Sequence, residues 1–306
     1  MSVLAVEIGG TKLQVVRGED SGTILERRRL TVAQTGGAAG IRDQIQSSVS
    51  ELLANAPAGA IGVGFGGPVD VSDGRIACSH QIEGWSGFPI AEWLSTLSGL
   101  PVRVDNDANV AALGEAILGA GQGCNPVCYV TLGSGVGGGL VLDGKIYHGM
   151  KPGEVEIGHL RLDRSGVILE QRCSGWAVDQ RIRAAVKSAP SSELARRVSH
   201  LDGGEARVLG AAIAHGDTLA QGILDETAED LAFALSHVTH LFHPEVIVLG
   251  GGLSLIGEPL RAAVATALPQ FLMDVFRPGP RIALARLGED AVPVGALLLT
   301  RGLSGV

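Results

Sequence analysis

The sequence predicts an α/β fold, and three observations carry that prediction. Short apolar, β-branched runs alternate with longer stretches whose apolar residues recur at helical spacing. A strand, a glycine turn and a second strand follow one another twice, at residues 3–17 and 127–142. A weak internal duplication, with one hairpin per half, is therefore expected. Residues 101–119, PVRVDNDANVAALGEAILG, pass from a buried strand into a helix through a cluster of acid and amide groups. The 306 residues, 45% of them hydrophobic, suffice for one large or two ordinary domains with a sizeable core.

In order along the chain, residues 3–8 read as a strand, Gly9-Gly10-Thr11-Lys12 as a turn and residues 13–17 as the return strand. Residues 23–31 continue the sheet. Residues 40–54 form an amphipathic helix, with Ile41, Ile45, Val49, Leu52 and Leu53 on one side. Residues 60–65 are a short strand, and Gly66-Gly67-Pro68-Val69-Asp70 is a turn. A short helix covers 90–98. Residues 102–104 are a strand ending at Asp105, and from Asn109 the residues Val110, Ala111, Leu113, Ala116 and Ile117 follow helical spacing. Then the plan restarts: strand 127–132, turn Gly133-Ser134-Gly135, strand 136–142. Helices dominate residues 177–241. Residues 246–249 are an apolar strand, Gly250-Gly251-Gly252 opens the next helix, and a last helix covers 293–303. Glycines between 119 and 125 mark the expected boundary. The domains are then 1–118, with 293–306 packing back on it, and 119–292.

Composition excludes several classes. The formal net charge is -8 and the longest basic run is Arg27-Arg28-Arg29, so a nucleic-acid or anionic-membrane partner is not expected. Aromatics are 4%, too few for base stacking to be a theme. No signal peptide or apolar run of membrane length is apparent. Four scattered cysteines, Cys78, Cys124, Cys128 and Cys173, read as free thiols in a reducing cytoplasm.

Asp105-Asn106-Asp107 can cap the helix that follows, and they also face whatever lies beyond the strand's carboxyl end. The glycine turns are equally two-sided. Each alone is an ordinary hairpin or loop, but backbone N–H groups converging in such turns suit phosphate oxygens. Gly9 to Lys12 adds a hydroxyl and an ammonium, and Gly250 to Gly252 lacks the full dinucleotide-binding spacing. Three such turns in one chain can hold different parts of one nucleotide.

The ordered motifs AVEIGGTK, GFGGPVD, VDNDANVAALGE, TLGSGVGGGLVLDGKIYHG, GEVEIGHL, LEQRCSG and VIVLGGGLS resemble those of the ROK family of repressors, open reading frames and kinases. The resemblance spans residue 3 to about residue 300. It implies a two-domain actin-like, hexokinase-like ATPase fold with an interdomain cleft for sugar and ATP–Mg²⁺. It implies that Asp107 is the catalytic base, and that Gly67, Asn106, Asp107, Glu156, His159 and Glu170 contact the sugar. It places the phosphates on Gly9, Gly10, Thr11 and Lys12 and on Gly133, Ser134 and Gly135, and the adenosine side on Gly250, Gly251 and Gly252. The residue types suit a ring of hydroxyls, since carboxylates accept while an amide and an imidazole do both. Taken singly, His159 reads as a structural histidine and Glu154 and Glu156 as solvated acids. His200, His215, His237, His240 and His243 read as structural or surface residues. Trp85 is a core aromatic or a lid, and the family's loop there favours the lid.

Three departures stand out. Glu7 replaces the family's usual Asp, an acid expected to help place Mg²⁺, and Ser134 replaces Thr. The usual CxCxxxxC zinc cluster before Leu169-Glu170 is absent, so structural zinc is not expected. The expected activity is an ATP-dependent kinase for a hexose or amino-hexose hydroxyl, glucose O6 first, as a cytoplasmic homodimer. The motifs leave open which sugar is used and whether ATP or polyphosphate donates. The alternative is a non-catalytic, sugar-sensing ROK protein. The repressors' DNA-binding helices are not expected ahead of a phosphate loop at residue 9, and the intact loops favour the kinase.

Overall fold

The computed structural model describes the chain except for residues 11, 33–35, 80–81, 152, 154 and 304–306. Strands β1 (Ser2–Ile8), β2 (Lys12–Glu19) and β3 (Ile24–Thr31) precede helix α1 (Gly37–Asn55). Then come β4 (Ile61–Phe65), the short pair β5 (Val69–Asp70) and β6 (Arg75–Ile76), α2 (Ile90–Ser98), β7 (Val102–Asn106) and α3 (Asp107–Leu118). Strands β8 (Val127–Leu132), β9 (Val136–Leu142) and β10 (Lys145–Ile146) follow. After them come α4 (Leu169–Cys173), α5 (Gly175–Ser188), α6 (Glu193–Val198), α7 (Leu209–Ala214) and α8 (Thr218–Phe242). The chain closes with β11 (Val246–Gly250), α9 (Glu258–Ala267), β12 (Arg281–Leu284) and α10 (Ala291–Leu299). No helix among the described residues is long and apolar enough to cross a membrane.

One five-stranded sheet has the order β3-β2-β1-β4-β7, with β1, β4 and β7 parallel and β2 and β3 antiparallel. The other has the order β10-β9-β8-β11-β12, with β8, β11 and β12 parallel. Contacts divide the chain into two compact units: residues 1–123, 139–155 and 289–306, and residues 124–138 and 156–288.

In the first unit both sheet faces are covered, as its apolar central strands require. Side chains alternate across β1. Leu4, Val6 and Ile8 join α1 and α2 in one core, whereas Val3 and Ala5 meet Val110 of α3 and Ala296 and Leu297 of α10 in another. Helix α10 lies at backbone distance from β4. A Cβ on Gly62 would strike the Ala296 carbonyl, and one on Gly295 would strike that of Val110. On this face Glu7, Gly64 and Asp105 occupy one row across β1, β4 and β7. The glycine between the two acids keeps the row open for the helices below.

Several expectations change. Val69 and Asp70 are a strand rather than part of a turn, because they pair with Ile76 and Arg75. The third glycine turn leads first into a 3₁₀ segment, Gly252–Ile256, and α9 starts only at Glu258. The last helix starts at Ala291 and ends at Leu299. Trp85 is not a lid. It is fully buried, edge-on to Phe65 and Phe88 at centroid distances of 5.5 and 5.4 Å, and Arg42 lies over both Trp85 and Phe88. Among the described residues its indole nitrogen has no hydrogen-bond partner, so Trp85→Phe breaks no hydrogen bond to them and removes chiefly packing volume. We expect that variant to lose about 1–2 kcal/mol of stability with ligand affinity unchanged. Denaturant titration beside ligand calorimetry checks both.

Candidate active site

The strand-to-helix junction of the first unit is built around a buried acid. Asp105 ends up inside because it lies in the row of Glu7 and Gly64, on the sheet face that α3 and α10 cover. Its Oδ1 accepts from the Asn106 backbone N–H at 2.8 Å and from Asn109 Nδ2 at 2.9 Å, and its Oδ2 pairs with His148 Nε2 at 2.6 Å. Asn109 Nδ2 also donates to the Gly153 carbonyl at 3.1 Å. His148 and Gly153 are thereby clipped to the start of α3.

Asn106 is the N-cap of α3, its Oδ1 accepting from the N–H groups of Ala108 (2.8 Å) and Asn109 (3.3 Å). Its Nδ2 donates to the Gly67 carbonyl at 3.1 Å, which brings Gly67 and Asn106 together. Asp107, the first residue of α3, is half-buried, and Gly66 lies so close that a Cβ there would sit 3.3 Å from Asp107 Oδ2. Burial, and secondly the negative charge of Glu7, push the Asp107 carboxyl up to about 7.

Glu7 is itself held. Gln14, its cross-strand partner on β2, donates Nε2 to Glu7 Oε2 at 2.6 Å, and Lys12 Nζ stands 3.9 Å away. Burial raises the Glu7 pKa, and Lys12 and Gln14 partly offset this. Gln14 is fully buried and accepts from Arg27, which pairs with Asp290 at 2.6 Å. The turn beside it closes with a Gly9 N–H to Lys12 carbonyl bond of 2.9 Å. Thr11 lies outside the described residues.

In the second unit three motifs meet. The turn Gly133-Ser134-Gly135 closes on itself through a Gly133 N–H to Gly135 carbonyl bond of 2.9 Å, and Gly175 N–H donates to the Gly133 carbonyl at 2.7 Å. Glu170 Oε2 accepts from the Val136 N–H at 2.9 Å. Gly158 packs on the Val136 carbonyl so closely that no side chain fits. Around it a short 3₁₀ turn (Ile157–His159) leaves Glu156 and His159 exposed at its two ends. Gly250 and Gly251 owe their lack of a side chain to Tyr129 and to the Leu132 backbone, and Gly251 has φ 79°; Gly252 faces open space.

Residues 160–169, which lack the cysteines usual in the family, form a small hairpin. Leu162 N–H donates to the Val167 carbonyl at 2.8 Å and Leu169 N–H to that of Leu160 at 2.9 Å. Asp163 Oδ1 accepts from Ser165 Oγ and from the N–H groups of Gly166 and Val167. Cys173 is buried, and desolvation pushes its thiol up to about 12.

The model of the ROK family matches residues 3–302. The chain belongs to the ROK family. A glucokinase of Halalkalibacterium halodurans is 30% identical over 306 residues, 95% of this chain and 92% of the relative. The crystal structure of a ROK family glucokinase from Streptomyces griseus, in complex with glucose and AMPPNP, is 30% identical, with a TM-score of 0.84 over 97% of this chain and 98% of that one. A ROK hexokinase from Thermus thermophilus is 30% identical, with a TM-score of 0.79 over 98% and 97%. The fold of this ROK protein is thus the two-domain hexokinase-like ATPase fold of the family.

Two groups of residues escaped sequence reasoning. Gln14 was legible in principle, because a four-residue turn at 9–12 sets residue 7 opposite residue 14. His148 was not, since nothing local marks it as the partner of an acid 43 positions earlier.

Proposed function

We propose that this chain is an ATP-dependent sugar kinase that phosphorylates a hexose or amino-hexose hydroxyl, glucose O6 first. The observation that carries this reading is Asp107: a carboxyl with its pKa near 7, at a strand's carboxyl end, beside the capping amide of Asn106. Asp107 accepts the hydrogen bond of the attacking hydroxyl and orients it. A carboxylate is a far weaker base than an alkoxide, so the proton moves to Asp107 late, as the new P–O bond forms. Asn106, already fixed by three hydrogen bonds, offers preorganised polar atoms to neighbouring hydroxyls. Glu156, His159 and Glu170 supply the remaining sugar contacts in this reading. The turns at Gly9 to Lys12 and at Gly133 to Gly135 offer N–H groups, and Lys12 a positive charge, to the phosphates. Gly250 to Gly252 line the adenosine side.

The residues present suit Mg²⁺. The charge of Glu7 raises the pKa of Asp107, and a divalent cation placed at Glu7 relieves that repulsion. When bound, the ion neutralises charge on the transferred phosphoryl group. A homodimer in the cytoplasm completes the reading.

Coupled ADP release from ATP–Mg²⁺, across neutral hexoses and N-acetylhexosamines, tests it. We expect turnover with at least one of them, glucose first. Sugar binding without ADP release from any member would instead favour the non-catalytic alternative, to which Glu7 in place of Asp lends support.

A further inference from the structure

We propose that Glu170 is a positioning residue for the phosphate loop as well as a sugar-side acid, so that one carboxylate links the two substrates. The inference rests on the kinase reading above. Its basis is the grip of residues 170–175 on the loop Gly133 to Gly135. Glu170 Oε2 takes the Val136 N–H at 2.9 Å, where the loop enters β9. At the loop's other end Gly175 N–H holds the Gly133 carbonyl at 2.7 Å. The two grips belong to one rigid piece, because Ser174 N–H donates to the Glu170 carbonyl at 3.1 Å and Ser174 caps α5.

The fit is close. A Cβ on Gly135 would lie 2.5 Å from Glu170 Oε2, so the glycine is what admits the carboxylate to the loop backbone. Among the described residues Glu170 Oε1 has no hydrogen-bond partner, and the side chain is half-exposed. One oxygen therefore sets the loop while the other remains for a sugar hydroxyl. Charge-assisted bonds from a backbone N–H to a carboxylate are the strong ones. The loop's N–H groups are useful to phosphates only if their directions are fixed beforehand. A sugar that fixes the carboxylate also fixes the loop, and by linkage a nucleotide that orders the loop favours the sugar.

The test is nucleotide affinity without sugar, by calorimetry with AMPPNP and Mg²⁺. A residue that touched only sugar would not move it. Glu170→Ala should weaken nucleotide binding about tenfold, the order of one lost charge-assisted hydrogen bond. Glu170→Gln keeps an oxygen for the Val136 N–H and should stay within about threefold. Glu170→Asp keeps the charge but loses reach. It should bind nucleotide as weakly as Glu170→Ala, and it replaces that variant if the latter does not fold. Wild-type affinity in Glu170→Ala or Glu170→Asp would overturn the inference and leave the kinase reading standing. So would equal weakening in Glu170→Gln. A wild-type protein that binds no nucleotide would overturn the kinase reading, and this inference with it.

Discussion

Asp107→Asn is expected to lower turnover by about 10²–10⁴-fold, the range of a lost general base, and at the same time to make the protein more stable. Both effects follow from one environment. The Asp107 carboxyl is pushed from its ordinary 3.8 to about 7, first by burial and then by the charge of Glu7. The folded protein thus binds this proton more tightly than the unfolded chain does. Below pH ~4 both states are protonated and the side chain carries no penalty. As pH rises from ~4 to ~7 stability falls, and above ~7 the penalty is complete. A shift of this size corresponds to at most about 4 kcal/mol. Water on the open side of the half-buried carboxyl screens part of it, so Asp107→Asn should gain about 1–3 kcal/mol at pH 8. Activity has the opposite sign, since only the ionised carboxyl accepts the proton. The wild-type kcat/KM should therefore rise with pH through about 7. Glu7→Gln should move that limb to lower pH by the part of the shift that Glu7 causes. Sugar affinity in Asp107→Asn should change far less than turnover, because the amide still offers a hydrogen bond to the hydroxyl. Turnover above about a tenth of wild type would remove Asp107 from the role of base.

What the sequence disclosed was what repeats or alternates. Strands β1 to β4, β7 to β9 and β11, the pairing of β1 with β2 and the junction at Asn106-Asp107 were legible, because local periodicity and capping chemistry act over a few residues. Strand β10 and the β5–β6 pair were not, because two residues carry no period. Trp85 was misread for a related reason. Flanking glycines mark it locally as loop, and only the fold brings Phe65 and Arg42 to it. The same limit hid the Asp105 cluster. Its acid lies in the most conspicuous motif of the chain, yet its role is set by His148, Asn109 and Gly153, which meet only once α3 and the segment after β10 are in place.

That cluster carries the largest stability effect we expect. Asp105 is fully buried and accepts three hydrogen bonds, from the Asn106 N–H, Asn109 Nδ2 and His148 Nε2. Asp105→Ala leaves those donors without their acceptor, and each buried unsatisfied group costs about 1–3 kcal/mol. Asn109 and His148 can recover part of this from water or by moving. We therefore expect a loss of about 3–5 kcal/mol, the scale of breaking a buried polar network. Asp105→Asn should be much milder. Its carbonyl oxygen can still accept from Asn106 and Asn109, and its amide can donate to His148 in the other imidazole tautomer. His148→Ala removes one donor and should cost about 1–3 kcal/mol. The double variant Asp105→Ala/His148→Ala should lose less than the sum, because the two residues share one bond. Chemical denaturation followed by tryptophan fluorescence suits the test, since Trp85 and Trp93, two of the three tryptophans, lie in the first unit. Asp105→Ala within about 1 kcal/mol of wild type, or strictly additive losses in the double variant, would show that the cluster does not hold this junction. The functional consequence is separable. Asn106 and Asp107 follow Asp105 directly in the chain, so a loosened junction should lower kcat in Asp105→Ala even at temperatures where the protein remains folded.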